Sequence, residues 1–218
     1  MLIGINSDCC GYNKSIEILP LVYSAGFTHV MINEDAGDLE TQIMQAQKIG
    51  LAVSCVHLYG KTKKKIKESI KLCKKYGIGN FILHPTTLKI SGVAFENIDA
   101  ETNKNLRGSK LFCYDCGHHY LNTPSEDFLK QFANTFAIAH IHDNDLKTDL
   151  HWLPFDGKLD FHKIMNGIKA IYKNQILVLE VYKIDLANIP HPPYKNMTDS
   201  DYIKTAFERA IKLQQMVL

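Results

Sequence analysis

The stretch "FCYDCGHHYL" (residues 112–121) sets two cysteines, an aspartate and two adjacent histidines side by side. It can be a redox Cys-x-x-Cys motif, half of a structural zinc site, or the end of a barrel strand bearing metal ligands. A redox pair belongs at the start of a helix beside a thioredoxin-like βαβ pattern, and a zinc ribbon needs a second cysteine pair. The other cysteines, Cys9, Cys10, Cys55 and Cys73, supply neither. The barrel-strand reading takes Asp115 and His118 as the chemical groups and expects Cys113 to face the surrounding helices as a small hydrophobe.

The rest of the chain agrees with a strand at 111–115. Short β-branched or apolar runs recur at 2–6, 28–32, 51–57, 80–84, 93–97, 137–142 and 176–180. Segments of helical period fall between them, at 14–25, 38–49, 62–76, 125–134, 160–170 and 199–215. Alternation of this kind marks a parallel sheet, and eight strands predict an α/β fold closed as a (β/α)₈ TIM barrel. With 218 residues, 45% of them hydrophobic, one domain over 1–218 is expected. The barrel should be abbreviated between strands four and five, where only "PTTLKISG" separates His84 from Val93. Residues 98–110 leave room for a short helix at most, and the proline-bearing segment 181–197 is a long loop beyond strand eight.

A formal net charge of +2 is too balanced for a dedicated nucleic-acid binder. The positive charge is lysine, with only Arg107 and Arg209 available as bidentate phosphate clamps. Lys63, Lys67, Lys71 and Lys74 share one face of a helix and read as its solvated side. No apolar window approaches the roughly 20 residues of a membrane span, and the first residues lack an export pattern. A cytoplasmic protein with reduced cysteines and no membrane partner is expected.

Catalytic side chains of a barrel stand at the C-terminal ends of its strands. Here those ends carry His57, His84, Glu96, Asp115 with His118, His140 with His142, and Glu180. A single histidine in such a place is ordinarily a hydrogen-bonded core or rim residue. Glu96 and Glu180 weigh more, because an ionised carboxylate in an apolar strand is costly unless paired or bound to a cation. Six strands ending in ligand-type residues on one rim point to a divalent metal. The segment after strand seven adds Asp143, Asp145, Asp149 and His151, of which Asp143 and Asp145 read equally well as turn residues of a solvated loop.

The succession "CVHLY", "ILHP", "FEN", "DCGHHYL", "HIHDND", "DLH", "DGKLDF" and "LEV" resembles the xylose isomerase-like TIM barrel superfamily, from about strand three to strand eight. That superfamily holds sugar isomerases and epimerases together with endonuclease IV-type AP endonucleases (family 2). The isomerase branch implies one Mn²⁺, Mg²⁺ or related ion on Glu96, Asp115, His140 and Glu180, with His118 near the substrate. The endonuclease branch implies three zinc ions, with His57, His84, His118, Asp149 and His151 as further ligands. Departures from the family pattern are His84-Pro85-Thr86 for His-Pro-Gly and Phe155-Asp156-Gly157 for Gly-x-Gly. An epimerase arginine after strand seven is missing, Lys147 being the nearest cation.

The expected function is a divalent-metal-dependent isomerase or epimerase of a sugar or sugar phosphate. Glu96 and Glu180 would be acid and base around an enediolate, and His118, His142 and Lys147 would contact substrate. The alternative is an endonuclease IV-like phosphoesterase with a multinuclear zinc cluster. In either case a small-molecule partner is expected rather than nucleic acid, and the assembly state, a homo-oligomer included, is left open.

Overall fold

Runs too short for helices and too apolar for loops must share their backbone hydrogen bonds, and here they do so in a closed ring. The computed structural model describes residues 3–106, 109–171, 176–185 and 191–217. Leu2 of the expected first strand, Arg107 and residues 186–190 of the proline-bearing loop lie outside the described residues. The strands are β1 (Ile3–Asn6), β2 (His29–Asn33), β3 (Ala52–Leu58), β4 (Phe81–Leu83), β5 (Ala94–Glu96), β6 (Phe112–Asp115), β7 (Phe136–Ile141) and β8 (Ile176–Leu179). They run parallel in sequence order, and β8 closes on β1 with Ile3 opposite Leu177. The expected (β/α)₈ barrel is the observed one.

The helices are α1 (Leu19–Ala25), α2 (Leu39–Ile49), α3 (Lys63–Lys75), α4 (Cys116–Asn122), α5 (Phe128–Gln131), α6 (Phe161–Ile171) and α7 (Asp199–Val217). Capping sets several of these ends. Asp38 accepts the Thr41 N–H at 2.9 Å to start α2, and Gly50, at φ 98°, ends it in the left-handed region. α3 buries Ile66, Ser69 and Cys73 and leaves its lysines exposed. α1 begins at Leu19 rather than 14, because Pro20 fits the first turn of a helix and no later position. No helix lies between β4 and β5, and a 3₁₀ turn (Thr102–Leu106) is the only helical piece between β5 and β6 among the described residues.

Two expectations about residues 112–134 need correction. The sequence promised a helix at 125–134, but α5 is a single turn and α4 does most of the covering. Asp115 both ends β6 and caps α4, accepting the His118 N–H at 2.6 Å, so "CGHHYLN" is helical. Cys113 does not face the helices. It belongs to the layer inside the barrel with Met31, Cys55, Ile82, Ala94, Ile138 and Val178, because residues two apart on a strand share a face and Asp115 points inward. Tyr114 takes the outer face, where its hydroxyl lies 2.8 Å from His119 Nδ1, and Cys116 packs in the core between barrel and helices. All six cysteines are buried free thiols.

Among the described residues no helix is long and apolar enough to cross a membrane. The interior layer is enclosed, so it should resist added volume. Cys113→Leu is expected to lower stability by about 1–3 kcal/mol in denaturant melts, more than Cys113→Ala. A neutral Cys113→Leu would place the side chain elsewhere.

Candidate metal centre

Strand register brings the chemistry together. Asp115 pairs with His140 across β6 and β7, and Glu96 lies opposite Cys113 across β5 and β6, so all three side chains rise to one end of the barrel. Glu96 is fully buried. Its Oε2 lies 3.0 Å from His57 Nε2 and its Oε1 lies 2.9 Å from His140 Nδ1. His84 Nε2 approaches the same Oε2 at 3.7 Å, and His118 Nδ1 comes within 3.6 Å of Oε1. Glu180, just beyond β8, puts Oε2 3.0 Å from His140 Nδ1. Asp149 and His151 arrive from the β7 loop: Asp149 Oδ2 is 3.0 Å from His118 Nε2, and Asp149 Oδ1 is 3.3 Å from His151 Nε2.

The nine residues expected as ligands therefore meet at one rim, in three groups. His57, His84 and Glu96 form one; Glu96, Asp115, His140 and Glu180 a second; His118, Asp149 and His151, joined by His142, a third. Glu96 is common to the first two. His142 donates to both Asp115 oxygens (3.0 and 3.1 Å) and stacks on His151 with ring centroids 3.8 Å apart. Lys147 is exposed and its backbone N–H donates to Asp145 at 2.9 Å.

Electrostatics make the cluster a bound array of opposite charges. Burial disfavours charge on Glu96, yet His140 and His57 hold its carboxyl well below the usual range. Glu180, likewise buried, is brought down to about 2 by His140. Burial opposes protonation of His151, but Asp149 raises it to about 9; Asp115 and Asp149 likewise lift His118 well above the ordinary histidine value. Glu96, Asp115 and Glu180 are all buried, and among the described residues their ion-pair partners are histidines, with no lysine or arginine. A divalent cation fits such a donor set, replacing protons on the imidazoles. Two rings are also oriented as metal ligands usually are: His118 Nδ1 donates to the Asn97 carbonyl at 3.2 Å and His151 Nδ1 to the Glu180 carbonyl at 2.8 Å, which leaves both Nε2 atoms facing Asp149.

Several supporting residues escaped the sequence. Asp143 is no solvated turn residue. It is fully buried and accepts the N–H groups of Asn144, Phe155, Gly157 and Leu159 at 2.8, 3.1, 2.8 and 3.0 Å. Its backbone also pairs both ways with Trp152 at 2.8 Å, which closes the loop that carries Asp149 and His151. His151 itself sits at φ 46°, a left-handed conformation held by this frame. Gly117 is a spacer: a Cβ there would lie 1.9 Å from His142 Cε1. Asp8, fully buried after β1, accepts from Asn6 (2.8 Å) and Asn33 (2.9 and 3.0 Å). Asn6 in turn accepts the Val181 N–H at 3.0 Å, which ties β1 to the chain beyond Glu180. The signal for Asp143 and Asp8 was slight, since aspartates in loops read as turn formers.

No protein-family model matches the chain. It is 34% identical over 106 residues to the uncharacterised protein y4fM of Sinorhizobium fredii, and 35% identical over 91 residues to the uncharacterised protein MJ1614 of Methanocaldococcus jannaschii. These matches cover 48% and 42% of this chain but only 31% and 36% of the relatives, about a third of their length. Among solved structures it resembles a sugar phosphate isomerase/epimerase from Parabacteroides distasonis (TM-score 0.68, 14% identity, 99% of this chain and 95% of that one). An L-ribulose 3-epimerase is similar at TM-score 0.67 and 13% identity, over 100% and 95% of the two chains. An AP endonuclease, family 2, from Brucella melitensis follows at 0.59 and 9%, over 84% and 93%. The fold is that of the xylose isomerase-like TIM barrels. Sugar isomerase and epimerase structures and an AP endonuclease structure thus share this barrel.

Two outcomes are expected. Asp143→Ala strands buried N–H groups, each at about 1–3 kcal/mol, so the melting temperature should fall sharply, with partial recovery in Asp143→Asn. An unchanged melting curve in Asp143→Ala would remove it as the loop's anchor. Burial raises the Asp8 carboxyl from 3.8 to about 6, so the folded protein holds that proton more tightly than the unfolded chain. Stability relative to Asp8→Asn should therefore be greatest below about pH 4 and decline by up to about 3 kcal/mol as pH rises through 6. A pH-independent difference between the two proteins would contradict it.

Proposed function

We propose that the protein is a divalent-metal-dependent enzyme with a multinuclear centre, acting on a small phosphorylated sugar or a related phosphoester by cleavage of a P–O bond. The observation that carries this reading is the sharing of Glu96. Both its oxygens are engaged, by His57 and His140, inside a wall of imidazoles. A general base for proton abstraction needs a free oxygen facing substrate, whereas a carboxylate with imidazoles on both sides would serve two donor groups at once. Two or three Zn²⁺ or Mn²⁺ ions bound there supply Lewis-acid activation of a water and screen the charge of an anionic substrate.

The chain's own residues have distinct tasks. Glu96 would join the group of His57 and His84 to that of Asp115, His140 and Glu180. His118, Asp149 and His151 would form the third position, with His142 holding Asp115 in place from beneath. Glu180 borders this third group, its Oε2 3.8 Å from His151 Nδ1, and would accept the proton released by an attacking water.

Isomerase or epimerase chemistry is the second reading. It is favoured by the sufficiency of Glu96, Asp115, His140 and Glu180 as a four-donor site for one ion, and by the epimerases among the structural neighbours. In that case His57, His84, Asp149 and His151 would be rim residues.

Metal analysis after reconstitution separates the two. About three ions per chain are expected in the wild type, and about two in His57→Ala/His84→Ala and in His151→Ala. One ion in all three proteins would return the isomerase reading to first place. Small phosphoesters should be cleaved, with a loss of about 10²-fold or more in Glu180→Gln. Ketose interconversion without phosphate release would overturn the proposal, and incision of an abasic duplex should be negligible at low salt.

A further inference from the structure

Beside the third donor group opens a cavity of about 690 Å³, the size of a pocket for a small organic molecule. It lies between the loops after β1, β7 and β8, and its walls include Tyr12, Asn13, Thr148, Leu150, Tyr182 and Ile184, with Asp149 and His151 at the metal end. Its other ionisable lining residues are Asp185 and His191. Among the described residues the lining holds no lysine or arginine. The nearest basic residues on the bordering loops are turned away, for Lys14 and Lys183 both bind Asp199, at 2.7 Å each, outside the cavity. Lys147 is exposed and is not part of the lining.

An anionic substrate normally meets cationic side chains, and an anionic group placed along this wall, away from the metal end, meets no lysine or arginine among the described residues. The aromatic and aliphatic wall suits the face of a sugar or other uncharged ring. Resting on the reading of the donor groups as a metal centre, we infer that this cavity selects substrates bearing one anionic group and an uncharged body. The single phosphate would face the metal end and the ring would lie along Tyr12, Tyr182 and Ile184. A second phosphate, or a nucleic-acid strand with one charge per nucleotide, would meet no lysine or arginine among the described lining residues.

The test measures binding rather than turnover. Calorimetry on the zinc-loaded protein uses inorganic phosphate and the non-cleavable phosphonate analogues of a sugar monophosphate and a sugar bisphosphate. The monophosphonate should bind tighter than inorganic phosphate by about tenfold, and the bisphosphonate no tighter than the monophosphonate. Asn13→Lys and Thr148→Lys, each placing a cation in an exposed part of the wall, should tighten the bisphosphonate alone by fivefold or more. Lys147→Ala should change no constant by more than twofold. A bisphosphonate bound tenfold tighter than the monophosphonate by the wild type, or a tenfold loss in Lys147→Ala, would overturn the inference while leaving the metal centre standing. Failure of all three ligands, inorganic phosphate included, to bind a protein that has taken up zinc would overturn both.

Discussion

A carboxylate with no exposure must be given its partners by the fold, and Glu96 obtains them from imidazoles on three other strands. His57 comes from β3, His140 from β7, and His84 from the exit of β4. Removing His140, which does most to hold the Glu96 carboxyl ionised, would leave buried negative charge under-compensated, which costs far more than the loss of a surface ion pair. The closed sheet is what makes the convergence possible. Eight strands tilted around one axis deliver their ends to a ring narrow enough for side chains from opposite sides to touch.

The outer parts of the site depend on a second kind of support. Asp149 and His151 stand on a loop with no regular secondary structure, and loops hold geometry only when their backbone groups are satisfied. Asp143 does this from below with four N–H groups, and Tyr194 adds another by accepting the Leu153 N–H at 2.7 Å. The Asp8, Asn6 and Asn33 network does the same work between β1, β2 and the chain after β8. The buried polar residues around the rim are thus a scaffold for the donors, and their own desolvation is offset by hydrogen bonds to the main chain.

The barrel and the donors were legible in the sequence because they follow period and polarity. Glu96 in "VAFEN" and Glu180 in "ILVLEV" stand out as charges in apolar runs, and the short "PTTLKISG" connection left no room for a helix. What was missed depends on distances the sequence does not contain. Cys113 lies on the inner face because the alternation that aims Asp115 inward aims Cys113 inward too. α4 was hidden because Asp115 serves β6 and the helix at once. Asp143 and Gly117 have meaning only through their contacts, with the N–H groups of Phe155, Gly157 and Leu159 and with the His142 ring.

The absence of a helix between β4 and β5 has a consequence for traffic. His84, at the exit of β4, has a side chain 51% exposed, and Asp149 at the far end of the row is 40% exposed, whereas Glu96, Asp115, His140 and Glu180 between them are at most 5% exposed. The row of donors is therefore open at its two ends and sealed in its middle. If the proposed metal centre forms, an ion bound for the central donors would have to pass the exposed donors at one end, so the centre would fill first and empty last. In that case exchange of labelled metal would be biphasic, quick at the exposed ends and slow at the buried middle.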